Sequence, residues 1–168
     1  LPGTPIQIPN LESLHGLLKM VNKKSSPGFD GISFNVISIL CRDGEFAALL
    51  LRFLNHLLKG FIPHSLRVSY MILLRKANQK CRPINIFSSF VRLASKFCSI
   101  TLNKIVSGLD NFQLAFSPGG VESLCNGLRG FIERQDNALL SIDFTNAFNS
   151  ISRSLILSAV KIHAPMLY

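Results

Sequence analysis

Apolar residues recur at helical spacing along six stretches of the chain and crowd into short, nearly unbroken runs along three others. The first helix is expected after Asn10, whose side chain suits an N-cap, with Leu11, Leu14, Leu17, Leu18 and Val21 on one stripe. Residues 23–31, KKSSPGFDG, read as a loop because Pro-Gly and Asp-Gly punctuate turns. Helical patterns follow at 34–41 and 45–59, the second stopped by Gly60. Residues 68–74 are aliphatic and β-branched, as a strand should be, and lead into a polar turn at 75–80. Residues 82–87 then return as the second strand of a hairpin, Pro83 suiting an edge or a strand start. A helix is expected at 89–106, another after Gly119 and Gly120 through about residue 134, and a last one at 153–163 capped by Ser152. Between the last two lies a short apolar strand, 138–144. This order is α+β rather than regular βαβ winding, and there is no internal repeat.

Composition adds two constraints. At 168 residues the chain is one domain's worth, and its 48% hydrophobic content excludes a disordered tail. Charged residues make up only 16% against a usual ~25%, so the chain either buries most of itself or has lost the surface that covered it. A start at Leu1 rather than Met and an end at Tyr168 raise the expectation of a piece of something larger. The most apolar stretch, EFAALLLRFLNHLL, is broken by Arg52, Asn55 and His56 and falls short of a membrane span. No secretory signal is visible and no membrane partner is expected; the compartment, nuclear or cytoplasmic if intracellular, is not fixed by the sequence.

Charge is the second constraint. Lys and Arg number 18 and Asp and Glu 9, a net +9. No acidic residue lies between Glu45 and Asp110, yet Arg52, Lys59, Arg67, Arg75, Lys76, Lys80, Arg82, Arg92, Lys96 and Lys104 do. An ordinary solvated surface interleaves both signs, so this run points to a polyanion, with a merely soluble basic face as the alternative. Cys41, Cys81, Cys98 and Cys125 form no CxxC or Cys/His cluster, which argues against zinc and for half-buried, reduced thiols.

The segment LLSIDFTNAFNSI carries the chemistry. Asp143 ends an apolar strand, and a buried carboxylate is costly unless it is paired or bound to metal. Taken alone it is either a metal ligand or a turn-capping Asp. Its surroundings decide between them by resemblance. SIDFTNAFNSI resembles the first carboxylate motif of reverse transcriptases, particularly those of non-LTR retrotransposons. SPGFDGISFNVI resembles that family's segment before the fingers, ILLRKANQKCRPINIFSSFVRLASK its basic hairpin, and QLAFSPGGVESLCNGL its Gln-x-x-Phe segment. The four stand in the family's order and cover about residues 22–163.

The resemblance implies a partial right-hand polymerase fold. Residues 1–112 would be helical fingers with the hairpin near 68–87, and residues 113–168 an incomplete palm with the first carboxylate. The reaction would be nucleotidyl transfer from dNTPs to a DNA primer's 3′-hydroxyl on an RNA template, with two Mg²⁺ (or Mn²⁺) ions. By resemblance Asp143 and the backbone carbonyl of Phe144 hold metal, and the Phe148 ring lies under the nucleotide sugar. Lys76 and Arg82 grip the triphosphate, Arg75 standing in for Lys76 if the register shifts by one, and Gln113 lies near the nucleotide. Lys23, Lys24, Arg75 and Lys80 are placed to touch nucleic-acid phosphates. An ordinary core Phe, a solvated hairpin tip and structural glycine turns are the plain alternatives for these positions.

Two departures matter. Asn149 stands where the family usually has Asp, and the family's aromatic-x-Asp-Asp turn is absent. After Asp143 there is no Asp or Glu as far as Tyr168. One carboxylate cannot give two Mg²⁺ ions their oxygen coordination, so the isolated chain is expected to be inactive, its downstream palm and thumb missing. A degenerate, non-catalytic nucleic-acid-binding module and a structural domain with incidental charge are the other readings.

Overall fold

The computed structural model describes residues 6–75, 81–106, 114–134, 136–145 and 147–168. The chain divides into two compact units, Thr4–Ser99 and Ile100–Tyr168. The division expected near 112–113 lies outside the described residues.

In the first unit, α1 (Leu11–Lys19) starts where Asn10 Oδ1 accepts the Ser13 N–H at 2.9 Å, and it buries Leu14, Leu17 and Leu18. Helix α2 (Phe34–Leu40) is capped by Ser33, and α3 (Gly44–Leu58) by Asp43, whose carboxylate accepts the Phe46 N–H at 2.7 Å. Ala47, Leu50, Leu54 and Leu57 form the buried stripe of α3, which packs on α1. The end of α3 is a Schellman motif. Gly60, at φ +86°, donates to Leu57 O, and Phe61 donates to His56 O, their rings meeting edge to face.

Strand β1 (Ser69–Arg75) pairs antiparallel with β2 (Cys81–Phe87), Ile72 opposite Ile84 and Leu74 opposite Arg82. Both faces of this ribbon expose apolar side chains, Met71 and Leu73 on one and Tyr70, Ile72 and Leu74 on the other. Sequences of that kind ordinarily belong to strands covered on both sides. Helix α4 (Ser89–Val106) follows; Leu93 is fully buried, and Phe90 meets Phe53 of α3 edge to face at 5.6 Å.

The segment before α1 is fastened by one side chain. Asn55 of α3 accepts the Ile8 N–H at 2.7 Å and donates to Ile8 O at 3.0 Å, completing what a neighbouring strand would supply, while Ile6 and Ile8 are buried. Replacing Asn55 with Ala leaves both Ile8 backbone groups unpaired. It is expected to cost about 1–3 kcal/mol, read as a lower urea midpoint at unchanged m-value.

The second unit holds α5 (Gly120–Ile132), the short α6 (Ala147–Ser150) and α7 (Arg153–His163). Ser152 stands at the N-cap of α7, but its hydroxyl meets Ser154 Oγ instead of a backbone N–H. The strand expected at 138–144 does not form: these residues carry no regular secondary structure. A strand is stable only in a ladder with packed neighbours, and the described residues of this unit offer it none. Among the described residues of the unit only Gly120 and Ala164 are buried, whereas Leu140, Phe144, Leu155 and Ile162 are exposed. Apolar surface of this kind drives association, so the isolated chain is expected to form multimers in light scattering at tens of micromolar; a clean monomer would contradict this. No helix among the described residues is long and apolar enough to cross a membrane.

Candidate functional site

The charge is not spread evenly. Residues 4–99 hold thirteen of the 18 basic side chains and only Glu12, Asp30, Asp43 and Glu45 among the acids, so the net +9 lies in the first unit. There polar contacts join the start of α4 to residues 25–32, and Gly28 brings the 22–31 loop close to the end of the hairpin.

Gly28 sits against the end of β2. A Cβ there would lie 2.6 Å from Phe87 O and 2.7 Å from Ser88 N, so only glycine admits this approach. Ser89 donates its hydroxyl to Ile32 O at 2.6 Å. Arg92 reaches across to donate to Ser26 O at 2.7 Å and Ser25 Oγ at 3.1 Å, its guanidinium 4.7 Å above the Phe34 ring. Within the loop, Asn22 Oδ1 accepts the Lys24 N–H at 3.0 Å and Asp30 Oδ1 the Ile32 N–H at 3.1 Å. Asp30 Oδ2 is shielded from water with no partner, a cost the packed loop carries. Lys23 and Lys24 are held exposed on this anchored loop.

On the hairpin, Arg75 stands opposite Cys81 and Arg82 opposite Leu74. By strand alternation the two arginines lie on opposite faces, both exposed. Lys76, Lys80 and Gln113 lie outside the described residues, as does the side chain of Phe148, whose backbone is in α6. At the start of α5, its N-cap Gly119 takes φ +67°, and its first residue, Gly120, packs directly against Leu114 O. The thiols differ from the half-buried set expected. Cys81 and Cys125 are exposed, while burial pushes the Cys41 and Cys98 thiols up from their ordinary pKa.

Asp143 also departs from expectation. It is exposed, between Ile142 and Phe144 at 66% and 74% exposure, instead of ending a buried strand. Desolvation therefore gives no reason for a metal here; what remains is an exposed carboxylate beside an exposed Phe144. No cluster of three His, Cys, Asp or Glu side chains among the described residues could hold an ion. The described residues do not by themselves supply the ligands of two divalent cations.

Arg92 and Lys96, named above only as members of the acid-free basic run, line one groove of the first unit together with Asn22 and Ser25, to which the sequence assigned no role. The available signal was the four-residue spacing of Arg92 and Lys96, which places both on one side of α4.

Over 173 aligned positions the chain is 29% identical to the 132 kDa protein of the retrotransposable element SLACS of Trypanosoma brucei gambiense. The alignment covers 95% of this chain but only 14% of that protein, so the chain spans a small part of its relative's length. The similarity supports a retrotransposon-related origin. No family model and no solved structure matches the chain.

Proposed function

We propose that this chain is part of a retrotransposon-type RNA-directed DNA polymerase, contributing the fingers with their hairpin and the beginning of the palm of a right-hand fold. The observation that carries this reading is the ordered set of four motifs in a chain similar along 95% of its length to a retrotransposable-element protein. In the whole protein, Asp143 and the Phe144 carbonyl would be donors to two Mg²⁺ (or Mn²⁺) ions, completed by carboxylates from outside these residues. The ions would align a primer 3′-hydroxyl with the α-phosphate of a dNTP over an RNA template. Lys76, Arg82 and Gln113 would face the nucleotide, and Phe148 would exclude a 2′-hydroxyl. Lys23, Lys24, Arg75 and Lys80 would meet backbone phosphates.

A second reading, a degenerate module that binds nucleic acid without chemistry, is favoured by the exposed Asp143 and the unformed 138–144 strand. The next stretch of the reading frame separates the two. An aromatic-x-Asp-Asp turn within a strand hairpin supports the polymerase, whereas stop codons or lost carboxylates support the relic.

A further inference from the structure

We propose that the groove between α4 and the 20–25 loop binds a backbone phosphate of single-stranded RNA, with Lys96 and Arg92 as its charged donors. The groove has a volume of about 350 Å³, within the range of ligand clefts, and its polar lining is Asn22, Ser25, Arg92 and Lys96. It lies wholly within the unit that carries the net charge.

Three observations carry the assignment. The Arg92 guanidinium is fixed by a carbonyl, a hydroxyl and an aromatic ring, contacts that orient the fork without neutralising its charge. Lys96, one helical turn further along α4, brings a second cation to the same groove on an exposed, adaptable side chain. None of the groove's lining residues is acidic, so no side-chain carboxylate there repels an entering anion. A fixed fork beside a mobile ammonium suits a phosphodiester, whose two free oxygens accept from both. A linear polyanion would also pass the exposed Lys23 and Lys24 of the adjoining loop, which a small free anion has no means to engage. The choice of RNA rests on the function proposed above; the groove's preference for phosphate does not.

The test uses the 168-residue chain and a labelled 20-nucleotide single-stranded RNA. Binding is measured between 50 and 200 mM salt, alongside acetylation footprinting of lysines. Lys96 is expected to be protected by RNA. Lys96→Ala should weaken binding about three- to tenfold and reduce the salt slope by about one phosphate contact. Lys161→Ala, an equal charge change on α7, should alter neither. Equal losses in the two variants, or a Lys96 as reactive in the complex as in the free chain, would overturn the groove assignment while leaving RNA binding in place. Absence of RNA binding at 50 mM salt would overturn the groove assignment and count against the polymerase reading. Displacement of RNA by inorganic phosphate at matched ionic strength would assign the groove to the free anion instead.

Discussion

Replacing Asp143 with Asn in the polypeptide that carries the rest of the reading frame is expected to lower RNA-templated primer extension by on the order of a thousandfold or more. Asn keeps the size and one carbonyl oxygen of the side chain but removes its negative charge. A hard divalent cation that holds few protein ligands depends on each carboxylate for both affinity and position. Because Asp143 is exposed, the substitution creates no cavity and breaks no packing, so stability should be unchanged within about 0.5 kcal/mol. The separation of activity from stability is the diagnostic result. Asp136→Asn is the control: Asp136 is exposed at a left-handed turn (φ +76°) that Asn also accepts, and extension should persist. Equal activity of Asp143→Asn and the unaltered protein would remove Asp143 from the metal site.

Gly28→Ala is expected to be the most disruptive conservative change in the first unit. The added methyl would meet the carbonyl of Phe87 and the amide of Ser88, backbone atoms that cannot rotate away. Relief requires the loop to lift from the base of the hairpin, which pulls Ser26 from Arg92 and Ile32 from Ser89. The penalty is expected at about 1–3 kcal/mol, seen as a lower urea midpoint. Gly16→Ala gives the opposite sign. Nothing lies within 4 Å of a Cβ at Gly16, inside α1, and Ala should stabilise by roughly 0.5–1 kcal/mol. If both substitutions stabilise, the close approach at Gly28 is absent.

These two glycines show where a sequence stops being legible. Helix α1, the Gly60 stop, the hairpin and the bounds of α4 and α7 follow from patterns local to the residues concerned: an apolar stripe, a cap, a punctuated turn. The approach of Gly28 to Phe87, the clasp of Asn55 on Ile8 and the reach of Arg92 to Ser26 join residues 47 to 66 positions apart, beyond any local period. The 138–144 segment failed for a related reason. Its apolar run has the composition of a strand, but a strand exists only with a neighbour, and none is supplied among the described residues. Asp143 stands as a candidate through resemblance alone, since the burial argument does not describe where it lies. The groove at Arg92 and Lys96 required the loop and helix to be seen together, although the spacing of the two cations was already visible.

The most direct measurement is primer extension on an RNA template with Mg²⁺ and dNTPs, comparing the 168-residue chain with the polypeptide that continues through the rest of its reading frame. The longer protein is expected to add deoxynucleotides, and the short chain, with its single carboxylate after residue 136, to add none. Extension by the short chain, or none by a well-folded longer protein, would contradict the assignment of this chain to the fingers and first palm motif of a polymerase.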